Sequence, residues 1–151
     1  MKGKIIVVLL SLFVVHCIQA EEVANLLAEA QTMINQNETD KALDVYLKVL
    51  DQDANNFMAL VYVCGFHYQK GLAELHKLDA KYSALHAPNR MQTARFENAL
   101  KALYETRFKL SEVYLIKAYL IRKNEHLDQM AGVIADFKKR IGLMQESGKK
   151  K

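Results

Sequence analysis

A single proline, Pro88, interrupts a chain whose apolar residues recur every three or four positions from Val23 to Ile141. That spacing is the signature of amphipathic α-helix, and nothing in the sequence alternates with period two over a useful length. Glycine is scarce as well, with 6 in 151 residues, so few positions break a helix on local grounds. The chain therefore reads as all-α.

The first 20 residues stand outside that reading. Lys2 and Lys4 precede an apolar run, Ile5 to Val15, and Ala20 precedes Glu21 and Glu22. This layout is that of a secretory signal peptide cleaved after Ala20. The run is short for a membrane span, which needs ~20 residues. An uncleaved anchor or a lipid-modified Cys17 are the alternatives, although His16 stands where a lipoprotein signal wants a small residue. The expected organisation is a signal peptide at 1–20, a helical domain at 21–148 and a basic tail at 149–151. The expected location is periplasmic or extracellular, with membrane attachment only if the N-terminal segment is retained.

Cleavage leaves Cys64 as the one cysteine, so no internal disulfide can form and the domain must rely on its core. The formal net charge of +4 is carried by the two ends. Residues 21–148 hold 16 basic and 17 acidic side chains, net −1, which is no footprint for nucleic acid. The charge is unevenly spread, at −6 over 21–53 and +5 over 54–148.

Punctuation divides the helical pattern. Residues 35–40 form a polar turn, with Thr39 or Asp40 expected to cap the second helix. Asp51 to Asn56 close that helix, Pro88 marks a boundary, and Asn124 is expected to cap the last helix. Gly71 either ends the third helix or lies inside one long rod over 57–86. A turn near Thr106 is a guess, since neither glycine nor proline marks it. Asn37-Glu38-Thr39 fits a glycosylation acceptor but reads more simply as a polar turn.

The boundaries at Ala54-Asn55-Asn56 and Pro88-Asn89-Arg90 are 34 residues apart, and Asn124 lies 34 further on. Ala42, Tyr46 and Val49 show a small–aromatic–small spacing of four then three, and Ala30 lies 12 residues before Ala42. Together with Asp53-Ala54-Asn55-Asn56, these resemble the tetratricopeptide repeat. In the second unit Leu60, Val63, Cys64, Gly71 and Pro88 fit the pattern, whereas His76 and Ala80 depart from it. In the third, Ser111, Leu115 and Ala118 fit after a slip of one residue. The resemblance implies antiparallel hairpins of about six helices, with the last helix as a cap. It also implies a noncatalytic scaffold that binds a peptide or protein segment in a concave groove, and together with the signal-peptide layout the expectation is an exported, bacterial protein. Gln31, Asn35, Met58, Val61, Tyr68, Gln92 and Arg95 would lie near that groove, with Tyr68 and Arg95 as its anchors.

No catalytic motif, phosphate loop or paired cysteine is present, and no cofactor or metal is expected. His67, His76, His86 and His126 never fall three or four residues apart. Cys64 lies on an apolar face, as a buried structural cysteine does. The rival reading is a small helical-bundle enzyme or ligand carrier, which would need an enclosed pocket with converging histidines and carboxylates.

Overall fold

A computed structural model describes residues 20–149, with side chains described as far as residue 142. The signal-peptide expectation, Cys17 and the end of the basic tail lie outside the described residues. The chain is all-α, and the described residues contain no strand. Its helices are α1 (20–35), α2 (Thr39–Gln52), α3 (Phe57–Ser83), α4 (Arg90–Leu103), α5 (Lys109–Ile121) and α6 (Glu125–Lys149). A π-helical turn, Tyr104–Phe108, joins α4 to α5.

The chain divides into two compact units, split after Ala59. In the first unit, α1 and α2 form an antiparallel hairpin. Gln52 at the end of α2 donates to Glu22 at the start of α1 (2.7 Å). Ala30, Ala42, Tyr46 and Val49 are all buried, as their spacing predicts. The turn between the helices uses Asn37 in the left-handed region (φ 60°), which asparagine tolerates better than most residues. Glu38, rather than Thr39 or Asp40, occupies the N-cap position of α2, and its side chain makes no capping bond. Its carboxylate instead pairs with Lys41 at 2.8 Å. Downstream, Asn56 caps α3 by accepting from the Ala59 N–H (3.2 Å).

The second unit packs three long rods: α3, the α4–α5 run and α6. Gly71 does not end α3, which forms one continuous helix over Phe57–Ser83. No turn forms near Thr106 either. The helical path continues, and the Lys109 N–H bonds back to the Tyr104 carbonyl across five residues. A π turn accommodates one extra residue within an α-helix.

Asparagines cap the starts of α4 and α6, the second of them at the expected Asn124. Asn89 and Gln92 form a reciprocal capping box at α4 (2.9 and 2.8 Å). Asn124 accepts from the Leu127 N–H at 2.9 Å, capping α6.

The core of this unit is continuous. Leu60, Val63, Cys64, Leu100, Phe108, Ser111, Leu115, Leu127, Met130, Ile134 and Phe137 are buried. Ser111 and Cys64 fix the meeting of α3 with α5. The Ser111 hydroxyl donates to the Cys64 carbonyl (3.0 Å) and lies 3.4 Å from its sulfur. Met130 of α6 completes the contact at 4.0 Å from that sulfur. Burial raises the Cys64 thiol pKa against the opposing Ser111 hydrogen bond. The thiol is thus held in its unreactive protonated form. Between rods, Arg140 grips Asp79 with two bonds (3.1 and 2.6 Å), Arg107 pairs with Glu74 (2.9 Å) and Lys138 with Glu112 (2.9 Å).

His67 is half-buried, and its Nδ1 has no hydrogen-bond partner. Burial lowers its pKa, and the charge of Arg107 lowers it further. The unfolded chain then takes up a proton near the ordinary value of ~6.5 that the folded chain resists, so stability falls as pH drops below it. Urea midpoints should decline from pH 7.5 to pH 5.5, and His67→Gln should flatten that decline. The residue is only partly buried and solvent screens it in part, so the slope should stay well under ~1.4 kcal/mol per pH unit. Parallel pH profiles for variant and parent would refute the assignment.

Candidate functional site

Side chains from the C-terminal part of α3, from Leu85 just beyond it and from α4 line a cleft beside the turn at Pro88. The ring of Tyr82 stacks on that of Phe96 (centroids 4.1 Å apart, planes 8° from parallel). The Tyr82 hydroxyl bonds to Thr93 at 3.1 Å. On Phe96 also rests the guanidinium of Arg140, 5.7 Å from the ring centre. The stack is therefore held by α3, α4 and α6 together. Leu78, Leu85 and Ala99 extend the apolar lining, and Lys81, Gln92 and Arg95 supply its polar atoms. The cleft holds about 310 Å³ and opens to solvent.

Its electrostatics are one-sided. No lining residue is acidic. Asp79, near Lys81 in sequence, is committed to Arg140. Lys81 and Arg95 are exposed and have no ion-pair partner among the described residues. The cleft thus offers an aromatic and aliphatic floor between two free cations. Its lining contains no cysteine, histidine or carboxylate. Among the described residues, no group of three or more His, Cys, Asp or Glu could hold a metal ion.

Of the seven residues expected near a groove, the structure brings Gln92 and Arg95 together in this cleft. Gln92 is held by the capping box, whereas Arg95 is unencumbered. Tyr68 is buried (8% exposed), its ring edge-on to Phe108 at 6.4 Å. Val61 is half-buried. Gln31 and Asn35 lie on the exposed face of α1, bonded to each other at 3.2 Å, and Met58 is 59% exposed at the start of α3. Lys81 was not among the expected residues. Tyr82, Leu85 and Phe96 were expected only as parts of helical stripes. Their recoverable signal is position, since all lie within eight residues of Pro88.

No protein-family model and no curated protein matches the chain. It is similar to a crystal structure from Bacteroides ovatus ATCC 8483 that carries the provisional description of a protein binding protein. The TM-score is 0.75 and the identity 27%, over 79% of this chain and 58% of that one. The chain spans less than two thirds of that protein's length. The likeness supports the all-helical fold.

Proposed function

We propose that this chain is a noncatalytic protein-interaction domain that holds an extended or helical segment of another protein in the α3–α4 cleft. The carrying observation is the cleft itself, an open apolar surface between two cations with no acid to neutralise them. Such a surface suits a segment that buries a bulky apolar side chain and presents carboxylates to Lys81 and Arg95. The description of the Bacteroides protein as protein-binding supports the same role. A tetratricopeptide-like arrangement is supported by the α1–α2 hairpin, with its buried small residues. The layout of residues 1–20 supports export, so the partner would be met in the periplasm or outside the cell.

The test is affinity capture from the producing organism's envelope, comparing the parent chain with Lys81→Glu/Arg95→Glu. Both positions are exposed, so the variant should fold as the parent does. Loss of a specific partner by tenfold or more, as for hot-spot residues worth ~2 kcal/mol, is the expected result. An unchanged set of captured proteins would sink the cleft reading. Lys48→Glu/Lys139→Glu, at exposed positions of α2 and α6 outside the cleft, serves as a charge-matched control.

A further inference from the structure

The outward side of α5 is unusual in two respects. Val113, Ile116 and Leu120 follow one another at spacings of three and four, and they are 46%, 53% and 84% exposed. This places them on one helix face, opposite the buried Ser111, Leu115 and Ala118. Leu110 adds a further exposed apolar side chain (41%). The same face is basic. Lys109 lies one turn before Val113, Lys117 lies beside Ile116, and Lys123 follows the end of the helix. Lys117 and Lys123 sit over the rings of Tyr114 and Tyr119 (5.7 and 5.8 Å) and have no ion-pair partner among the described residues. Glu105 is engaged by Lys109 and Glu112 by Lys138, so Lys117 and Lys123 are the cations on this face that remain outside an ion pair among the described residues.

We propose that this face of α5 docks on an anionic lipid surface. The interleaving of lysine with exposed aliphatics decides between occupants. Protein interfaces gather their apolar residues into a core from which charge, and lysine above all, is depleted. A headgroup region accepts both. Aliphatic tips enter the acyl boundary while lysine stems lie along it and hold their ammonium groups among phosphates. Half-buried Tyr114 and Tyr119 suit the same polar–apolar border. Ile116 also borders a groove against α6, whereas Val113 and Leu120 stand clear of it, and an extended surface can meet all three. Among the described residues no helix is long and apolar enough to cross a membrane, so this contact is peripheral. The inference is independent of the α3–α4 cleft.

The chain has no tryptophan, so Leu120→Trp makes α5 the only source of indole emission in the full-length protein. Vesicles of mixed phosphatidylglycerol and phosphatidylcholine should shift that emission to the blue. Adding salt to about 1 M, where the Debye length is ~3 Å, should reverse the shift. Lys117→Glu/Lys123→Glu in the reporter background should weaken vesicle affinity roughly tenfold or more. Ile116→Ser should weaken it as well, with helicity by circular dichroism unchanged. Four results would each overturn the proposal. One is an equal shift with pure phosphatidylcholine. Another is a concentration-dependent blue emission without vesicles, which would assign the face to a second copy. A third is vesicle binding that leaves the indole emission unmoved, which would assign attachment to another segment. The last is no binding to anionic vesicles at low salt.

Discussion

Phe108→Ala is expected to lower the unfolding free energy by about 3–5 kcal/mol, the range for truncating a fully buried phenylalanine. Phe108 is 0% exposed and closes the π turn, facing three neighbours. Its ring lies 6.4 Å from that of Tyr68 on α3 and 4.7 Å from that of Phe137 on α6, and it reaches Gly71. Each neighbour belongs to a long rod anchored elsewhere, by the Cys64–Ser111 contact and by the Arg140–Asp79 pair. The site therefore cannot collapse cheaply around a missing ring, and the cost should fall in the upper part of that range. Small domains have only about 5–15 kcal/mol of stability in all. Urea titration followed at 222 nm would show a lower midpoint with an unchanged slope. A loss under about 1 kcal/mol would mean that the three rods do not depend on this ring. Phe108→Leu, which keeps most of the volume, should cost about 1.5 kcal/mol or less.

The parts of this fold that could be read from the sequence were those set by local chemistry. Asn89 and Asn124 cap helices because an asparagine oxygen can reach a free N–H within its own turn, whatever the tertiary context. The buried series Leu127, Met130, Ile134, Phe137 and Ile141 follows from helical spacing alone. Gly71 was ambiguous because its role is nonlocal. Its low helix propensity argues for a break, whereas close approach of another helix argues for continuity. Only the position of Phe108, 37 residues later, decides between them.

The π turn shows a different limit. Ser111, Leu115 and Ala118 lie one residue later than a strict period of 68 from Ala42, Tyr46 and Val49 would place them. The slip is visible in the sequence. The turn Tyr104–Phe108 absorbs one extra residue without breaking the helix, leaving all three positions buried. At the cleft, Gln92 and Arg95 were expected near a groove through the tetratricopeptide resemblance, and both line this one. Tyr68 and Tyr82 both lie on α3, four turns apart, and periodicity cannot say which is covered. Phe108 covers the first, and the ends of α3 and α4 leave the second at the cleft.

Gly71→Leu is the second large effect, and its sign rests on two opposed quantities. Replacing a glycine inside a helix favours folding by up to ~1 kcal/mol. Against this, an ideal Cβ at Gly71 would stand 3.1 Å from the tip of the Phe108 ring and 3.2 Å from the Arg107 Cβ. Neither neighbour yields easily. The Arg107 Cβ is fixed to helical backbone, and the Phe108 ring is wedged between Tyr68 and Phe137. For Gly71→Ala, a shift of a few tenths of an ångström should roughly cancel the propensity gain, leaving stability within about 1 kcal/mol of the parent. Leucine gains no more propensity than alanine, yet it drives further carbons into occupied space. Its net cost should be about 2 kcal/mol or more, within the range for overpacked cores. The strain and the Phe108 ring occupy the same volume, so the two positions must couple. Gly71→Leu/Phe108→Ala should therefore be more stable than the sum of the two single losses predicts. If the losses simply add, or if Gly71→Leu is as stable as the parent, then α3 and the π turn are not in the close contact that makes glycine necessary here.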